Sequence, residues 1–339
     1  MTALSIVVPC FNEQECLAAL HERLTGAARA AAGEDYELVL INDGSKDGSW
    51  DLMREIAGRD PRVVAINLSR NHGHQLALTA GLDLCRGDKI LIIDADLQDP
   101  PELLGDMLAT MAREAADVVY GVRRARAGET RFKRATAAAF YRLLSRATEV
   151  DIPVDAGDFR LMSRRALDAL LAMPEQARFI RGMVAWIGFR QVPFAYDRKE
   201  RFAGKTKYPL GKMISFALDA LTGFSSAPLK LASHAGLWLA AGSLLIVLYI
   251  FYAWAIGRSI PGWTSLMLVV VVLGAVQMFV LGLLGEYIGR LYNEAKSRPL
   301  YIVQEIAGGA PDPEGRLGYV ADATANKDKP GGKGKRPIA

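Results

Sequence analysis

Three oxygen-bearing side chains stand at alternate positions in Asp94-Ala95-Asp96-Leu97-Gln98. In an extended chain, residues two apart point to one side. Two carboxylates and an amide oxygen would then converge, with no histidine or cysteine among them. Hard oxygen ligands of this kind suit Mg²⁺ or Mn²⁺, whose remaining ligands are water and substrate phosphates. The alternative is a surface turn whose acids are merely solvated. The neighbourhood favours the metal: a bulky apolar run, residues 89–93 (KILII), leads straight into the segment, and a further acid, Asp43, follows a second such run. His72 and His74 flank Gly73 with no partner histidine or cysteine nearby, so they are expected to be loop residues rather than ligands. The three cysteines, Cys10, Cys16 and Cys85, form neither a metal-binding spacing nor an even-numbered framework. Free thiols and a reducing compartment are expected.

The elements that must hold these residues alternate. Residues 4–9 (LSIVVP), 36–41 (YELVLI), 63–67 (VVAIN), 89–93 and 117–120 (DVVY) have the pattern of buried strands, with helical stretches such as 13–32, 50–58 and 74–84 between them. Such alternation predicts an α/β fold with a mainly parallel sheet covered on both faces. Ligands of such sheets bind beyond the carboxyl ends of the strands. There the chain carries Pro9-Cys10-Phe11-Asn12-Glu13, Asn42-Asp43-Gly44-Ser45 and the acidic segment from Asp94 to Pro100. No G-x-G-x-x-G follows the first run and no G-x-x-x-x-G-K-[ST] occurs, which removes support for dinucleotide and P-loop chemistry.

The 339 residues are 51% hydrophobic and 23% charged, with a net charge of +4. That composition excludes a wholly disordered chain, and the charge balance does not suggest a nucleic-acid binder. The apolar residues are concentrated: 235–257 and 264–285 contain no charged residue. As helices each would reach roughly 33 Å, enough to cross a hydrocarbon core of ~30 Å. The connector 258–263 is short and holds Pro261 and Gly262, so residues 234–286 are predicted to form a transmembrane hairpin with both flanks on one side. Lys205, Lys207, Lys212 and Lys230 before the hairpin, and Arg290, Lys296 and Arg298 after it, outnumber the connector's single Arg258. The positive-inside bias therefore puts the catalytic portion and the C-terminus in the cytoplasm, and no cleaved signal is expected. The predicted division is a soluble domain 1–209, interfacial amphipathic helices 210–233, the hairpin, a cytoplasmic segment 287–306 and a disordered tail 307–339. Gly285 and Gly289 form a G-x-x-x-G that allows close helix approach, serving either a homo-oligomer or the hairpin itself.

Taken together, PCFNE, NDGS, DADLQDP and Asp155-Ala156-Gly157-Asp158-Phe159-Arg160-Leu161 resemble family 2 of the nucleotide-sugar glycosyltransferases, which have the Rossmann-like GT-A fold. Within it the chain is similar to the polyprenyl-phosphate glycosyltransferases, the dolichol-phosphate mannose synthases and the bactoprenol glucosyltransferase, GtrB-like, branch. The run from Gly285 to Glu294 resembles the latter in particular. The resemblance implies a nucleotide-binding set of Pro9, Asn12, Glu13, Asp43 and Asp94, and a metal and diphosphate site of Asp94, Asp96 and Gln98. It implies basic residues for the acceptor and donor phosphates at Arg123, at one of Arg131, Lys133 or Arg134, and at Arg201 and Lys205 in RFAGKTKYP. It also implies Asp158, or else Asp155, as a residue that accepts or steers the acceptor's last proton, with Asp96 beside it in the catalytic set.

The implied reaction is single, inverting sugar transfer from a nucleotide-sugar, UDP-glucose by preference, to a membrane-embedded polyprenyl phosphate at the inner membrane. Two phosphates must meet there, and their repulsion is severe in a partly dehydrated site. Arginines at 123 and 131 and Lys205 would screen it, arginine being suited to forked phosphate contacts. The alternative for the basic run 123–134 is a solvated face near anionic lipid. A processive or hydroxyl-directed enzyme of the same family lacks support because Q-x-x-R-W is missing and only two spans occur. An inactive membrane scaffold would have no need of converging carboxylates.

Overall fold

A computed structural model of the chain describes residues 2–123, 156–197 and 262–309, with scattered positions between 232 and 256. Five apolar runs fold as the sequence predicts: β1 Leu4–Cys10, β2 Tyr36–Asn42, β3 Val63–Leu68, β4 Lys89–Ile92 and β5 Val118–Arg123. Helices α1 Gln14–Ala32, α2 Ser49–Arg59, α3 His74–Leu84 and α4 Leu104–Arg113 connect them. Every residue of β1 and β2 is buried, as expected for strands covered on both faces. Helix α1 turns Leu17, Leu20, Leu24 and Ala28 to the core, a spacing that keeps one helical face apolar.

After residue 155 come β6 Ala156–Ser163, α5 Arg164–Leu171, α6 Ile180–Trp186 and β7 Gln191–Tyr196. The sheet has eight strands in the order β7-β5-β6-β4-β1-β2-β3-β8, where β8 is Val303–Gly308. Strands β1 to β4 are mutually parallel, β7 is parallel to β5, and β6 and β8 run antiparallel to their neighbours. This is the mainly parallel, GT-A-like α/β arrangement that the resemblance implies. The chain leaves β1 toward β2 and β3 on one side and returns to β4 on the other, so the sheet has its switch point between β1 and β4. Open α/β sheets bind ligands in the crevice outside that point.

Strand β8 was not visible in the sequence pattern, and the boundary drawn between 306 and 307 falls inside it. It pairs with β3 from Val64↔Gly308 to Leu68↔Val303, and Tyr301 Oη donates to Asp83 Oδ2 at 2.7 Å.

A second compact unit contains α7, Trp263–Ala295. This helix runs ten residues past the expected end of the second span. Among its exposed side chains are Leu266, Val270, Met278, Phe279, Leu281, Ile288 and Leu291. Its portion Val272–Ala295 is long and apolar enough to cross a membrane, the one such helix among the described residues. The described positions between 235 and 256 include exposed Trp238, Leu244, Leu245 and Tyr252. The rest of the first span, nearly all of 210–233 and the tail beyond 309 lie outside the described residues.

Candidate active site

The loops that leave β1, β2 and β3 are stitched to one another at the carboxyl end of the sheet. Asn12 takes a left-handed backbone, φ 54°, which asparagine tolerates better than most residues. Its amide donates to Ser45 Oγ at 2.9 Å and its Oδ1 accepts the Lys46 N–H at 2.8 Å. The Glu13 N–H donates to Ser49 Oγ at 3.0 Å. Pro9 lies within β1 opposite Ile41. Asn42 Nδ2 donates to Asn67 Oδ1 at 2.7 Å, joining the ends of β2 and β3.

Asp43 is buried and its carboxylate is met by backbone alone: the His72 N–H at 2.7 Å and the Gly73 N–H at 3.0 Å. Burial pushes this carboxyl up, and the two N–H groups oppose the shift. Gly44 makes the approach possible. It has φ +64°, and a Cβ there would stand 2.5 Å from the Asn71 nitrogen and 2.6 Å from the Arg70 carbonyl carbon, so only glycine fits.

Across the switch point, the chain does not stay extended after β4. Residues 95 and 96 form a turn, Leu97 is left-handed at φ 57°, and Asp96 Oδ1 accepts the Gln98 N–H at 3.1 Å. Asp94, Asp96 and Gln98 therefore share one turn rather than one face of a strand, which corrects the geometry expected from alternation. Among the described residues no three His, Cys, Asp or Glu side chains form a group able to hold an ion by themselves. The donor chemistry nevertheless suits a hard cation that takes further ligands from a diphosphate. Asp94 Oδ1 is buried with no hydrogen-bond partner. Burial, then Asp158, Asp99 and Asp96 nearby, push the Asp94 carboxyl up to about 6 against the opposing pull of His74.

Strand β6 brings Asp158 to the same place. Pairing of Ile92 with Arg160 sets the start of β6 beside the end of β4. Arg181 Nε donates to Asp158 Oδ1 at 2.8 Å and its Nη2 to Oδ2 at 3.2 Å. His74 Nε2 lies 3.2 Å from Asp158 Oδ2 and 3.7 Å from Asp94 Oδ1, so it links the two acids. Burial alone would raise the Asp158 carboxyl, but the Arg181 guanidinium and the His74 imidazole hold it well below the usual carboxylate range. His74 itself is pushed up to about 9: burial opposes its charge, and Asp158 and Asp94 override it. Gln75 Oε1 accepts the Ile180 N–H at 2.9 Å, docking the start of α6 on that of α3 and so bringing His74 and Arg181 together. The buried Arg160 bonds the carbonyls of Gly157 at 3.0 Å and Asp158 at 3.4 Å, bracing the backbone that presents Asp158.

Among the expected site residues, the fold sets Asn12, Glu13 and Asp43 in the loops after β1 and β2, and Asp94, Asp96 and Asp158 where β4 ends and β6 begins. Arg123 ends β5, with its Nη2 3.4 Å from where a Cβ on Gly157 would lie. Arg131, Arg134, Asp155, Arg201 and Lys205 lie outside the described residues. His74 and Arg181 were not expected here. His74 opens α3 instead of lying in a loop, and no local signal pairs residues 74, 158 and 181.

Two family models match the chain: glycosyl transferase family 2 over residues 5–171, and the GtrB C-terminal hairpin over residues 227–291. The uncharacterized glycosyltransferase YkcC of Bacillus subtilis (strain 168) is 48% identical over 305 residues, 90% of this chain and 94% of that protein. A prophage bactoprenol glucosyl transferase homolog of Escherichia coli (strain K12) is 38% identical, covering 89% of this chain and 99% of that one. The bactoprenol glucosyl transferase of Shigella phage SfII is also 38% identical, covering 91% and 99%.

Proposed function

The chain belongs to glycosyl transferase family 2, as a glycosyltransferase that carries a GtrB-type hairpin, and from that premise we propose that it moves one hexose from a nucleotide-sugar to a polyprenyl phosphate held in a membrane. One observation carries the reading. A sugar-transfer domain is continuous in one chain with an apolar helix whose exposed face is unsuited to water, and relatives named bactoprenol glucosyl transferases match along about nine-tenths of that chain. A lipid acceptor cannot leave the bilayer, so an enzyme that uses it must be anchored there. The hairpin of residues 234–286, with the interfacial segment before it, serves as that anchor, and the flanking lysines and arginines place the catalytic domain on the cytoplasmic side of the cell membrane.

In this reading Pro9, Asn12, Glu13 and Asp43 receive the nucleoside end of the donor. Asp94, Asp96 and Gln98 hold Mg²⁺ or Mn²⁺, which when bound stabilises charge on the departing diphosphate. Arg123, joined by Arg131 or Arg134 and by Arg201 and Lys205, meets the phosphates and screens their mutual repulsion. The acceptor nucleophile is already anionic near neutral pH, a phosphate monoester having its second pKa at about 6, so a strong general base is unnecessary. Asp158 has both oxygens engaged by cations and acts by holding Arg181 and His74 toward the reacting charges. Attack opposite the leaving group inverts the anomeric centre. UDP-glucose is the donor of choice.

The test is the full chain, purified in detergent, supplied with undecaprenyl phosphate and labelled UDP-glucose, other UDP-sugars or GDP-mannose, with Mn²⁺ or with EDTA. Label passing into the organic phase only with metal is expected. Label in a water-soluble polymer would favour a hydroxyl-directed enzyme instead, and none with any donor would overturn the reading.

A further inference from the structure

The sixth residue of β7 faces the sixth of β5: the parallel register pairs Arg123 with Tyr196. The Tyr196 ring is seated closely. A Cβ on Gly121 would stand 2.7 Å from its Cε1 and 2.8 Å from Phe159 Cδ1, and the Phe159 ring meets it edge-on at 5.4 Å between centroids. The ring has little freedom, and its hydroxyl is aimed. That hydroxyl donates to Asp99 Oδ1 at 2.5 Å, with both residues buried. The Arg123 guanidinium, beside it in the register, opposes the rise that burial and Asp99 impose on the same phenol, and its Nε is buried without a hydrogen-bond partner. Asp99 directly follows Gln98 and precedes Pro100, whose ring fixes its own backbone. A cation thus stands beside a phenol that is hydrogen-bonded to a carboxylate, each group polarising the next. The series runs from the end of β5 to the turn that carries Asp94, Asp96 and Gln98.

We propose that Tyr196 and Asp99 are positioning residues for Arg123, a bridge that holds its guanidinium beside the donor-side turn to meet an anionic oxygen of the acceptor. The inference rests on the reading of Arg123 as an acceptor-phosphate contact, and it adds what fixes that contact in place. A side chain present only for packing would be replaced by phenylalanine without kinetic effect, since the ring alone fills the space beside Gly121.

The experiment uses the full chain in detergent, with undecaprenyl phosphate titrated at saturating donor and donor titrated at saturating lipid. Tyr196→Phe is expected to raise the KM for the lipid phosphate about tenfold, the effect of one charge-assisted hydrogen bond, with the donor KM unchanged. Asp99→Asn, which keeps an oxygen for the phenol but removes the charge, is expected to move the same constant in the same direction. It tests the bridge independently should Tyr196→Phe fold poorly. Arg123→Ala is expected to raise the lipid KM at least as far, and Tyr196→Phe added to it should have no further effect, because residues that act through one another are not additive. If Arg123→Ala leaves the lipid KM untouched, the acceptor reading of Arg123 fails and the bridge with it. If Arg123→Ala is impaired while both bridge variants match wild type, or while the variants only lower the melting temperature or raise both KM values equally, the bridge alone is overturned.

Discussion

Two aspartates stand beyond the carboxyl ends of this sheet, both nearly inaccessible, and they are held by opposite means. Asp43, just past β2 among the mutually parallel strands β1 to β4, receives two backbone N–H groups on its carboxylate. Asp158, on the antiparallel strand β6, receives a forked arginine and a histidine. Backbone donors carry no net charge, so desolvation prevails at Asp43 and its carboxyl is raised. Two cationic groups outweigh the same penalty at Asp158, and its carboxyl is lowered. One region is thus built to keep a shape that is indifferent to the side chain supplying the N–H. The other is built to keep a charge, and it depends on the identity of residues far apart in the chain.

That contrast is open to direct tests. The largest effect is expected at Asp158. Arg181→Leu takes the forked cation from a carboxylate only 8% exposed and leaves it His74 alone, and breaking such a pair from one side costs about 3 kcal/mol, readable as a lower denaturant midpoint. Asp158→Asn should reduce sugar transfer by about 100-fold through loss of the charge that orients both cations, with donor binding retained. A wild-type rate in Asp158→Asn would break the contrast outright.

A smaller effect is expected at Asp43. An amide there can accept only one of the two N–H groups, and Asp43→Asn should cost about 1–2 kcal/mol and raise the donor KM without a matching fall in kcat. The contrast is sharpened at residue 72. His72→Pro removes the N–H that Asp43 accepts and should raise the donor KM as Asp43→Asn does, whereas His72→Ala keeps the N–H and should leave Asp43 in place. Equal losses in the two variants would mean that the imidazole, not the backbone, holds the site.

The smallest effect lies at the opposite end of the sheet, where charge pairing has no part in the proposed chemistry. Asp117 is held low by the fork from Arg165, then by Ser163. A carboxyl lowered by folding contributes stability that is complete above its ordinary pKa of about 4 and fades as the pH falls through the depressed value. The stability gap between wild type and Asp117→Asn should therefore be constant near neutrality and close under acid, as measured by denaturant midpoints from pH 7 downward, with transfer activity at pH 7 unaffected.

Much of this was visible in the chain before its fold was known. The buried runs that become β1 to β5 are local and apolar enough to declare themselves, and α3 spans the residues its pattern predicts, 74–84. Asp94, Asp96 and Asp43 follow such runs and could be placed at the sheet's binding edge from that alone. Other elements were hidden for identifiable reasons. Strand β7 contains Pro193, which argues against a strand in sequence, and the fold accommodates it at the sheet edge, where a missing N–H breaks no central ladder. Strand β8 is six residues with Gln304 and Glu305 near its start, too mixed to stand out after a long apolar helix. The turn at 95–98 was hidden because a left-handed leucine has no sequence signature.

The sequence by itself determined the alternating α/β class, the acids at the strand ends and the apolar stretch that calls for a non-aqueous partner, because each depends on residue type and short-range periodicity. Only the tertiary structure decided that β6 inserts antiparallel between β4 and β5. That insertion sets Asp158 against His74, 84 positions earlier, and against Arg181, and the pairing of β5 with β7 sets Tyr196 against Arg123. Strand order and register follow from how whole faces pack, a property of long-range contacts that no local run of residues encodes.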